Sequence, residues 1–186
     1  MKIRVIVPCY NEGEVVLKTY DKLTEIMKKD SLIKNYEYDL LFINDGSTDT
    51  TIHHIKNIVA YDNHVKYLSF SRNFGKEAAM IAGYQHSTMH DAVIMIDGDL
   101  QHPPEYIPQM IEGYIEGYDQ VIAKRNRQGE NFVRKTLSRC YYKLINAFVE
   151  DIQFEDGVGD FRLLSRRAVQ ALTTLDEYNR FSKGLF

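Results

Sequence analysis

The sequence is poor in cysteine, and it has no long run of apolar residues. Its 186 residues include two cysteines, Cys9 and Cys140, which lie far apart and lack the spacing of a metal-binding pair. We therefore expect no disulfide scaffold. We expect reduced thiols in a cytoplasmic setting. No stretch approaches the roughly 20 apolar residues that span a bilayer, and residues 1–8 lack the pattern of a signal peptide. We expect the chain to be soluble by itself.

A strong charge of one sign is also lacking. Lysine and arginine total 23, and aspartate and glutamate total 26, which gives a formal net charge of −3. This near balance argues against nucleic-acid binding and against a disordered acidic tail. The glycine-rich motifs GxxxxGK[ST] and GxGxxG are missing, and the second absence argues against a dinucleotide-dependent dehydrogenase. The length and the 44% share of hydrophobic residues predict one globular domain over residues 1–186.

Apolar segments of two kinds alternate along the chain. Some have a periodicity typical of amphipathic helices, and one of these predicted helices begins just after Pro103 and Pro104. Between them lie five apolar runs of strand length, at residues 3–7, 40–43, 65–70, 92–96 and 120–123. Strands that alternate with helices indicate βαβ units. We predict an α/β fold with a mostly parallel central sheet and helices on both faces.

Polar residues directly follow the first four predicted strands. These segments are PCYNE at residues 8–12, NDGSTD at 44–49, SRNFGK at 71–76 and DGD at 97–99. Because ligands bind beyond the carboxyl ends of the strands in such sheets, we predict that the four segments meet in one binding site. In the second segment, we expect Ser47 or Thr48 to cap the following helix, with Asp49 in its first turn.

Asp97 and Asp99 are separated by one glycine at the end of a predicted buried strand. Carboxylates so close together repel each other, and a hard divalent cation with oxygen ligands would remove that repulsion. Gln101 is a third candidate ligand, through its amide oxygen or a metal-bound water. The alternative is a solvated turn, because Asp-Gly is a common turn dipeptide. The preceding apolar run and the other polar strand ends favour the cation site.

Three more strand-end residues are candidates for nucleotide binding. The carboxylate of Asp45 directly follows a strand and is able to accept hydrogen bonds from a nucleobase or a ribose. Arg72 and Lys76 flank Gly75 at the start of a predicted helix, where cations and free backbone N–H groups suit a diphosphate. The alternatives are a simple turn at residues 45–46 and a solvated surface pair for the two cations.

Five segments together resemble the GT-A glycosyltransferases of family 2, and more closely the polyprenyl-phosphate glycosyltransferases related to dolichyl-phosphate mannose synthase. The segments are VIVPCYNEGE, FINDGSTDTT, SRNFGKEAAMIAGY, MIDGDLQHPPE and GVGDFRLLSRRAV. They occur in the expected order, and the resemblance covers essentially the whole chain. It implies a GT-A, Rossmann-like fold, a nucleotide-sugar donor and an inverting transfer of a sugar to a lipid phosphate.

The resemblance also implies roles for individual residues. It places Mg²⁺ or Mn²⁺ on the donor diphosphate, where the ion stabilises charge on the departing nucleotide. Asp99, Asp160 and Arg125 are expected to act in catalysis. The residues expected to organise the metal are Asp97, Asp99 and Gln101, and those expected at the nucleotide-sugar pocket are Pro8, Tyr10, Glu12, Asp45, Arg72, Lys76 and Asp97.

Asp160, in the segment GDFRLL, matches the residue usually assigned as the catalytic base of the family. A phosphate monoester has a second pKa of about 6, so a lipid phosphate is already largely ionised at neutral pH. Little deprotonation is needed, and we expect Asp160 to position Arg162, the acceptor or the sugar as much as to act as a base. The structural alternative is a turn or helix-capping aspartate.

Arginines and a basic helix are expected on the acceptor side. Arg125, Arg127 and Arg162 are candidates for binding the lipid phosphate, with a solvated loop as the alternative for Arg127. Residues 132–148 carry basic side chains on one face and apolar side chains on another. Such a helix lies on an anionic membrane surface or packs its apolar row on the sheet. Transmembrane helices commonly follow the catalytic domain in this family, so we expect hydrophobic residues beyond Phe186.

The leading hypothesis is a metal-dependent, inverting transfer of a sugar from a UDP-sugar to undecaprenyl phosphate at the cytoplasmic face of the membrane. A GDP-sugar donor, a saccharide acceptor and a non-catalytic nucleotide-sugar-binding module are the alternatives. A nucleotidyltransferase is less favoured, because the first strand lacks a glycine-rich basic loop for a triphosphate. The sequence specifies neither the sugar nor the choice between Mg²⁺ and Mn²⁺, and it allows a homo-oligomer.

Overall fold

The computed structural model describes residues 1–124 and 158–174. The strands in these ranges are β1 (Lys2–Cys9), β2 (Glu37–Asn44), β3 (Val65–Ser69), β4 (Ala92–Met95), β5 (Gln120–Lys124) and β6 (Val158–Ser165). The helices are α1 (Val16–Lys34), α2 (Thr51–Tyr61), α3 (Lys76–Gln85), α4 (Ile107–Ile115) and α5 (Arg166–Thr174), and a short 3₁₀ helix, Pro104–Tyr106, runs directly into α4. Across the described ranges, no helix has the length and apolar character needed to cross a membrane.

The six strands form one sheet in the order β3-β2-β1-β4-β6-β5. β1 is parallel to β2 and β4, and β2 is parallel to β3. β6 is antiparallel to both of its neighbours, β4 and β5. The predicted α/β class with a mostly parallel sheet is confirmed. β6 has no counterpart among the strands predicted from the sequence, because Asp160 and Arg162 interrupt its apolar pattern.

Helices cover both faces of the sheet, and for this reason the central strands are apolar throughout. On one face, α1, α2 and α4 contribute buried residues such as Leu23, Ile55 and Ile107. On the other face, α3 and α5 contribute Met80 and Val169. Successive side chains of a strand point to opposite faces, so β1 serves both cores: Ile3, Val5 and Val7 belong to the first and Ile6 to the second.

Two glycines allow the strand ends to approach each other closely. Gly46 follows β2 with a φ of +62°, and a Cβ at this position would lie 2.2 Å from the carbonyl carbon of Arg72. Gly98 follows β4, and a Cβ there would lie 3.2 Å from Cys9 Sγ and from the carbonyl oxygen of Pro8. A side chain at either position would force neighbouring backbone or the buried Cys9 to move. The glycines therefore bring β1, β4 and the two loops after β2 and β3 together.

A buried ion cluster lies at the opposite, amino-terminal end of the strands. Both carboxylate oxygens of Asp39 accept hydrogen bonds from Arg4, with Nη2–Oδ2 at 2.8 Å, and His90 Nε2 lies 3.1 Å from Oδ2. Lys66 Nζ lies 3.6 Å from the same oxygen. Burial by itself raises the pKa of Asp39, but the hydrogen bonds and charges of Arg4 and His90 outweigh it and hold this pKa well below its ordinary value.

Candidate active site

A cavity of about 260 Å³ lies at the carboxyl ends of β1, β2 and β4, beside the first residues of α3. The loops that leave these strands are the polar segments predicted to share a site. The residues that line the cavity are Pro8, Cys9, Tyr10, Glu12, Asp45, Asn73, Gly75, Lys76, Ala79, Asp97, Gly98 and Asp99. The sheet thus brings together most of the residues predicted for the nucleotide-sugar pocket, from all four strand ends.

Lys76 joins two carboxylates at this cavity. Its Nζ lies 2.6 Å from Asp97 Oδ1 and 2.6 Å from Asp160 Oδ2. Asp160 is not among the lining residues, but this ammonium connects it to Asp97. Burial by itself lowers the pKa of Lys76, and the hydrogen bonds and charges of Asp160 and Asp97 outweigh it, so that the pKa is raised. The ammonium is therefore charged at neutral pH, and it offsets part of the negative charge of the site.

His102 lies on the other side of Asp97, and reasoning from the sequence assigned it no role. Its Nε2 is 3.8 Å from Asp97 Oδ2. Its ring packs against Phe161 with 5.7 Å between centroids, and a Cβ on Gly159 would lie 3.2 Å from His102 Cε1. His102 therefore connects Asp97 to the first half of β6. The feature of the sequence that could have indicated a role for His102 is its position directly after the DGD segment and Gln101.

Asp99 and Gln101 form a tight turn after β4. Asp99 Oδ1 accepts a hydrogen bond from the backbone N–H of Gln101 at 3.0 Å, and Leu100 between them has a left-handed φ of +57°. The Gln101 side chain is exposed and does not line the cavity. Within residues 1–124 and 158–174, no three or more His, Cys, Asp or Glu side chains form a group arranged to hold a metal ion.

Negative charge accumulates in the cavity. Burial raises the pKa of Glu12, and the charges of Asp99, Asp49 and Asp97 raise it further. This mutual effect shows that Glu12 shares an anionic environment with the two aspartates that follow β4. A bound cation would offset this charge.

Asp45 holds the loop between β3 and α3. Its side chain is 3% exposed. Oδ1 accepts the backbone N–H of Phe74 at 2.7 Å, and Oδ2 accepts that of Gly75 at 2.9 Å. The carboxylate therefore fixes the loop that leads into Lys76, while it also lines the cavity. The predicted contact of Asp45 with a base or ribose is a separate role, and it stays a prediction.

The expectation that Ser47 or Thr48 caps the next helix is wrong. Ser47 Oγ accepts the backbone N–H of Asn11 at 3.0 Å, and Asn11 Oδ1 accepts the N–H of Thr48 at 2.9 Å. The helix α2 begins later, at Thr51, whose N–H donates to Asp49 Oδ1 at 3.0 Å. Ser47 and Thr48 instead tie the loop after β2 to the loop after β1. They support the cavity wall rather than the helix.

Two predicted phosphate-binding arginines lie away from the cavity. The guanidinium of Arg72 stacks over the exposed ring of Phe74, with its Cζ 4.2 Å from the centroid. Arg162 is fully buried on β6, and its Nη2 donates to the carbonyl oxygen of Gly159 at 3.0 Å. Burial lowers the pKa of Arg162, and nearby Tyr84 and Asp160 oppose this effect. Its burial does not favour direct contact with an acceptor phosphate.

Several predicted acceptor features lie outside the described residues. These are Arg125, Arg127 and the basic amphipathic segment 132–148. Their predicted contacts with a lipid phosphate and a membrane surface stay predictions.

Residues 4–173 match Glycosyl transferase family 2. The chain belongs to this family, and the membership predicted from the five sequence segments is confirmed.

Two curated relatives are similar over nearly the whole chain. CsbB of Bacillus subtilis (strain 168), a putative glycosyltransferase, is 55% identical over 184 residues, which are 99% of this chain and 54% of the relative. A bactoprenol glucosyl transferase of Shigella phage SfX is 43% identical over 186 residues, which are 100% of this chain and 59% of the relative. The chain therefore spans little more than half the length of these relatives.

A solved structure shows the same fold at low sequence identity. The mannosyltransferase PcManGT from Pyrobaculum calidifontis, solved in complex with GDP-Man and Mn²⁺, has a TM-score of 0.62 and is 16% identical. The match covers 91% of this chain and 46% of that one. The predicted GT-A fold is confirmed by this likeness.

Proposed function

We propose that the protein transfers a sugar from a nucleotide-sugar, a UDP-sugar in particular, to a polyprenyl phosphate. The observation that carries the proposal is the junction of Asp97 and Asp160 through Lys76. It brings a carboxylate of the pocket, Asp97, and the carboxylate predicted to position the acceptor or the sugar, Asp160, within reach of one ammonium. The similarity to a bactoprenol glucosyl transferase over the whole chain supports the acceptor. The choices of UDP and of undecaprenyl phosphate rest on the sequence resemblance.

The nucleotide of the donor is proposed to lie along the ends of β1 and β2. Pro8, Tyr10 and Glu12 follow β1 and line this part of the cavity. Asp45 is proposed to accept a hydrogen bond from the base or ribose. Each of its oxygens already accepts one backbone N–H and has a lone pair for a second donor. The diphosphate then lies near Lys76, at the start of α3, where free N–H groups favour an anion.

The residues of the site fit a divalent cation. Asp97 and Asp99 offer hard oxygen ligands, which Mg²⁺ and Mn²⁺ prefer. The pocket is anionic before a diphosphate enters, because the acidic side chains that line it outnumber the basic ones. Asp160 Oδ1 is buried and has no hydrogen-bond partner among the described residues. We propose that Asp97 and Asp99 hold the ion. When bound, a divalent cation offsets the charge that develops on the departing diphosphate.

The transfer is proposed to invert the configuration of the sugar. An oxygen of the acceptor phosphate bonds to the anomeric carbon, while the bond from that carbon to the nucleotide diphosphate breaks and its electron pair leaves with the diphosphate. The acceptor phosphate is already largely ionised, since its second pKa is about 6. Asp160 is therefore proposed to orient the reacting groups through Lys76 rather than to remove a proton. Arg125 and Arg127 are proposed to hold the acceptor phosphate.

The reaction is proposed to take place at a membrane surface, because the acceptor is a lipid. The choice of the cytoplasmic face rests on the sequence resemblance. Residues 132–148 are proposed to contact the membrane surface through their basic face. Hydrophobic residues beyond Phe186 are proposed to anchor the full-length protein.

A donor and acceptor panel tests this function. The full-length protein is incubated with UDP- and GDP-sugars, undecaprenyl phosphate and Mn²⁺ or Mg²⁺, and the glycolipid product is measured. We expect a glycolipid from one UDP-sugar, with formation abolished by a chelator. Transfer only to a saccharide would assign a different acceptor. Donor hydrolysis alone, or binding without turnover, would contradict the proposed transfer.

The substitution Asp99→Asn tests the role of the metal. An amide is a poorer ligand than a carboxylate, so turnover should fall on the order of 100-fold or more. Thermal stability should change little, because the amide oxygen of asparagine is also able to accept the backbone N–H of Gln101 that Asp99 Oδ1 accepts. Asp21→Asn, at an exposed position of α1, is the matched control and should keep full turnover. A large loss of stability in Asp99→Asn would instead indicate a structural role.

A further inference from the structure

Lys76 stands where the donor and acceptor halves of the site meet. It is the first residue of α3, directly after Gly75, whose φ is +94°. Its side chain leaves the start of the helix and reaches strand-end residues on β4 and β6. The ammonium contacts Asp97 Oδ1 and Asp160 Oδ2 at 2.6 Å each. One positive charge therefore serves two carboxylates that lie far apart in the chain.

We propose that Lys76 is an internal counter-cation, which competes with the divalent cation for Asp97 and is displaced from it when the metal and the donor bind. The inference rests on the proposed function, because it assumes the metal-dependent donor site described above. Before the donor binds, Lys76 ties the donor-side and acceptor-side carboxylates together. After the donor binds, Lys76 stays with Asp160.

Lys76 and the proposed divalent cation share one partner, the carboxylate of Asp97. Asp97 Oδ1 already accepts Lys76 at 2.6 Å, whereas the other oxygen has His102 Nε2 at the longer distance of 3.8 Å. A bound Mg²⁺ or Mn²⁺ lies roughly 2.0–2.6 Å from its oxygen ligands. An ammonium and a divalent ion on one carboxylate would therefore be very close together, and like charges at that separation repel strongly. The ammonium and the metal ion therefore weaken each other's binding to Asp97.

The geometry allows Lys76 to leave Asp97 without any movement of the fold. Its side chain is 43% exposed, and its four-carbon stem is flexible. The second partner, Asp160, is the less exposed of the two carboxylates, and its Oδ1 has no hydrogen-bond partner among the described residues. The ammonium that leaves Asp97 thus retains a partner in Asp160.

Mn²⁺ binding to the nucleotide-free, full-length protein tests the competition without any turnover. Lys76→Gln removes the competing ammonium and keeps a side chain of similar length. Isothermal titration calorimetry should show Mn²⁺ binding at least about fivefold tighter than in the wild type. Lys76→Met, which is also uncharged, should show the same gain. Lys76→Arg keeps the charge and should not bind Mn²⁺ more tightly.

Two controls separate direct competition from a general change of charge. Arg72→Gln removes a positive charge from the loop that leads into Lys76. The side chain of Arg72 stacks on the ring of Phe74. Lys66→Gln removes a lysine beside Asp39, at the far end of the sheet. Both should bind Mn²⁺ within about twofold of the wild type.

The results distinguish this inference from the proposed function. If the wild type binds Mn²⁺ but Lys76→Gln and Lys76→Met bind it no more tightly, Lys76 is not a competitor and the inference is overturned. An equal gain in Arg72→Gln would also overturn it, since long-range charge would then explain the effect. If the wild type binds no Mn²⁺ even with a UDP-sugar present, the proposed metal dependence fails, and the inference fails with it.

Discussion

At the scale of single residues, the carboxylates of this site make two kinds of contact. Some accept backbone N–H groups and shape the loops, as Asp45 does with Phe74 and Gly75 and as Asp49 does with Gly13 and Thr51. Others, such as Asp97, pair with a side-chain cation. The first kind determines where the cavity wall lies. The second kind contributes to the balance of charge at the cavity.

Asp45→Asn should weaken donor binding more than it slows the transfer. An amide has one acceptor oxygen, so one of the N–H groups of Phe74 and Gly75 would lose its partner and the loop before Lys76 would loosen. We expect the KM for the donor to rise on the order of tenfold, and the free energy of unfolding to fall by about 1–3 kcal/mol. Initial rates at varied donor concentration and urea unfolding measure the two effects. An unchanged KM would show that the loop does not depend on this carboxylate.

At the scale of secondary structure elements, β6 links the candidate site to the core. It runs antiparallel between β4 and β5, and its residues alternate between the two faces of the sheet. Phe161 and Leu163 belong to one core and Leu164 to the other. The start of the same strand presents Asp160 to Lys76 and packs Phe161 against His102. Packing on β6 therefore sets the position of groups around Asp97.

Phe161→Leu should reduce turnover by more than its loss of stability explains. The smaller side chain keeps the core apolar but leaves a cavity, which should cost about 1–3 kcal/mol, and it removes the ring against which His102 packs. We expect kcat to fall on the order of tenfold through misplacement of His102 and Asp97. Leu164→Met, on the opposite face, is the control for a change in the core, and it should cost less than about 1.5 kcal/mol and keep full turnover. Equal turnover in the two variants would show that His102 does not depend on this contact.

At the scale of the whole molecule, the two ends of the sheet have different tasks. The carboxyl ends of the parallel strands expose carboxylates around a cavity. The amino ends bury the ion cluster of Arg4, Asp39 and His90, which joins β1, β2 and the segment before β4. A buried pair of this kind stabilises little when complete, but breaking it leaves an uncompensated charge. The amino end therefore couples the fold to pH.

The lowered pKa of Asp39 predicts a loss of stability in acid. The unfolded carboxyl has a pKa of about 3.9, and the folded value lies below it because of Arg4 and His90. The contribution of Asp39 is thus fully present above about pH 4 and is lost as the pH falls through the folded value. Asp39→Asn should cost about 3–5 kcal/mol at neutral pH, because it leaves Arg4 buried without its counter-charge.

Urea unfolding between pH 3 and pH 7 measures this linkage. The wild type should lose stability steeply below about pH 4, and Asp39→Asn should show a smaller acid-side slope. Asp21→Asn, at an exposed position, should follow the wild-type curve. If Asp39→Asn keeps the wild-type slope, other carboxylates must account for the acid dependence.

Much of the architecture is predictable from local sequence. The five predicted strands agree with β1 to β5 to within a few residues, because apolar runs of strand length and turn residues at their ends are local signals. The polar strand-end segments meet at one edge because strands β1 to β4 are parallel. Family membership follows from the same segments, since their order is read directly from the sequence.

Other features depend on contacts between distant parts of the chain. β6 was missed because the charges of Asp160 and Arg162 break its apolar pattern, and only the sheet shows that they are accommodated between β4 and β5. The capping role expected of Ser47 and Thr48 was wrong because Asn11, from another loop, takes their hydrogen bonds. Competing partners of this kind have no signal in the local sequence.

The sequence by itself determined the α/β class, the edge of the sheet that carries the site and the pair of aspartates in the DGD segment, because periodicity and turn chemistry are local. The tertiary structure decided what offsets those aspartates. Lys76 on α3, Asp97 after β4 and Asp160 on β6 meet only when the strands pair. Electrostatic interaction depends on distance in space, so an ion pair between three distant segments is decided by the fold.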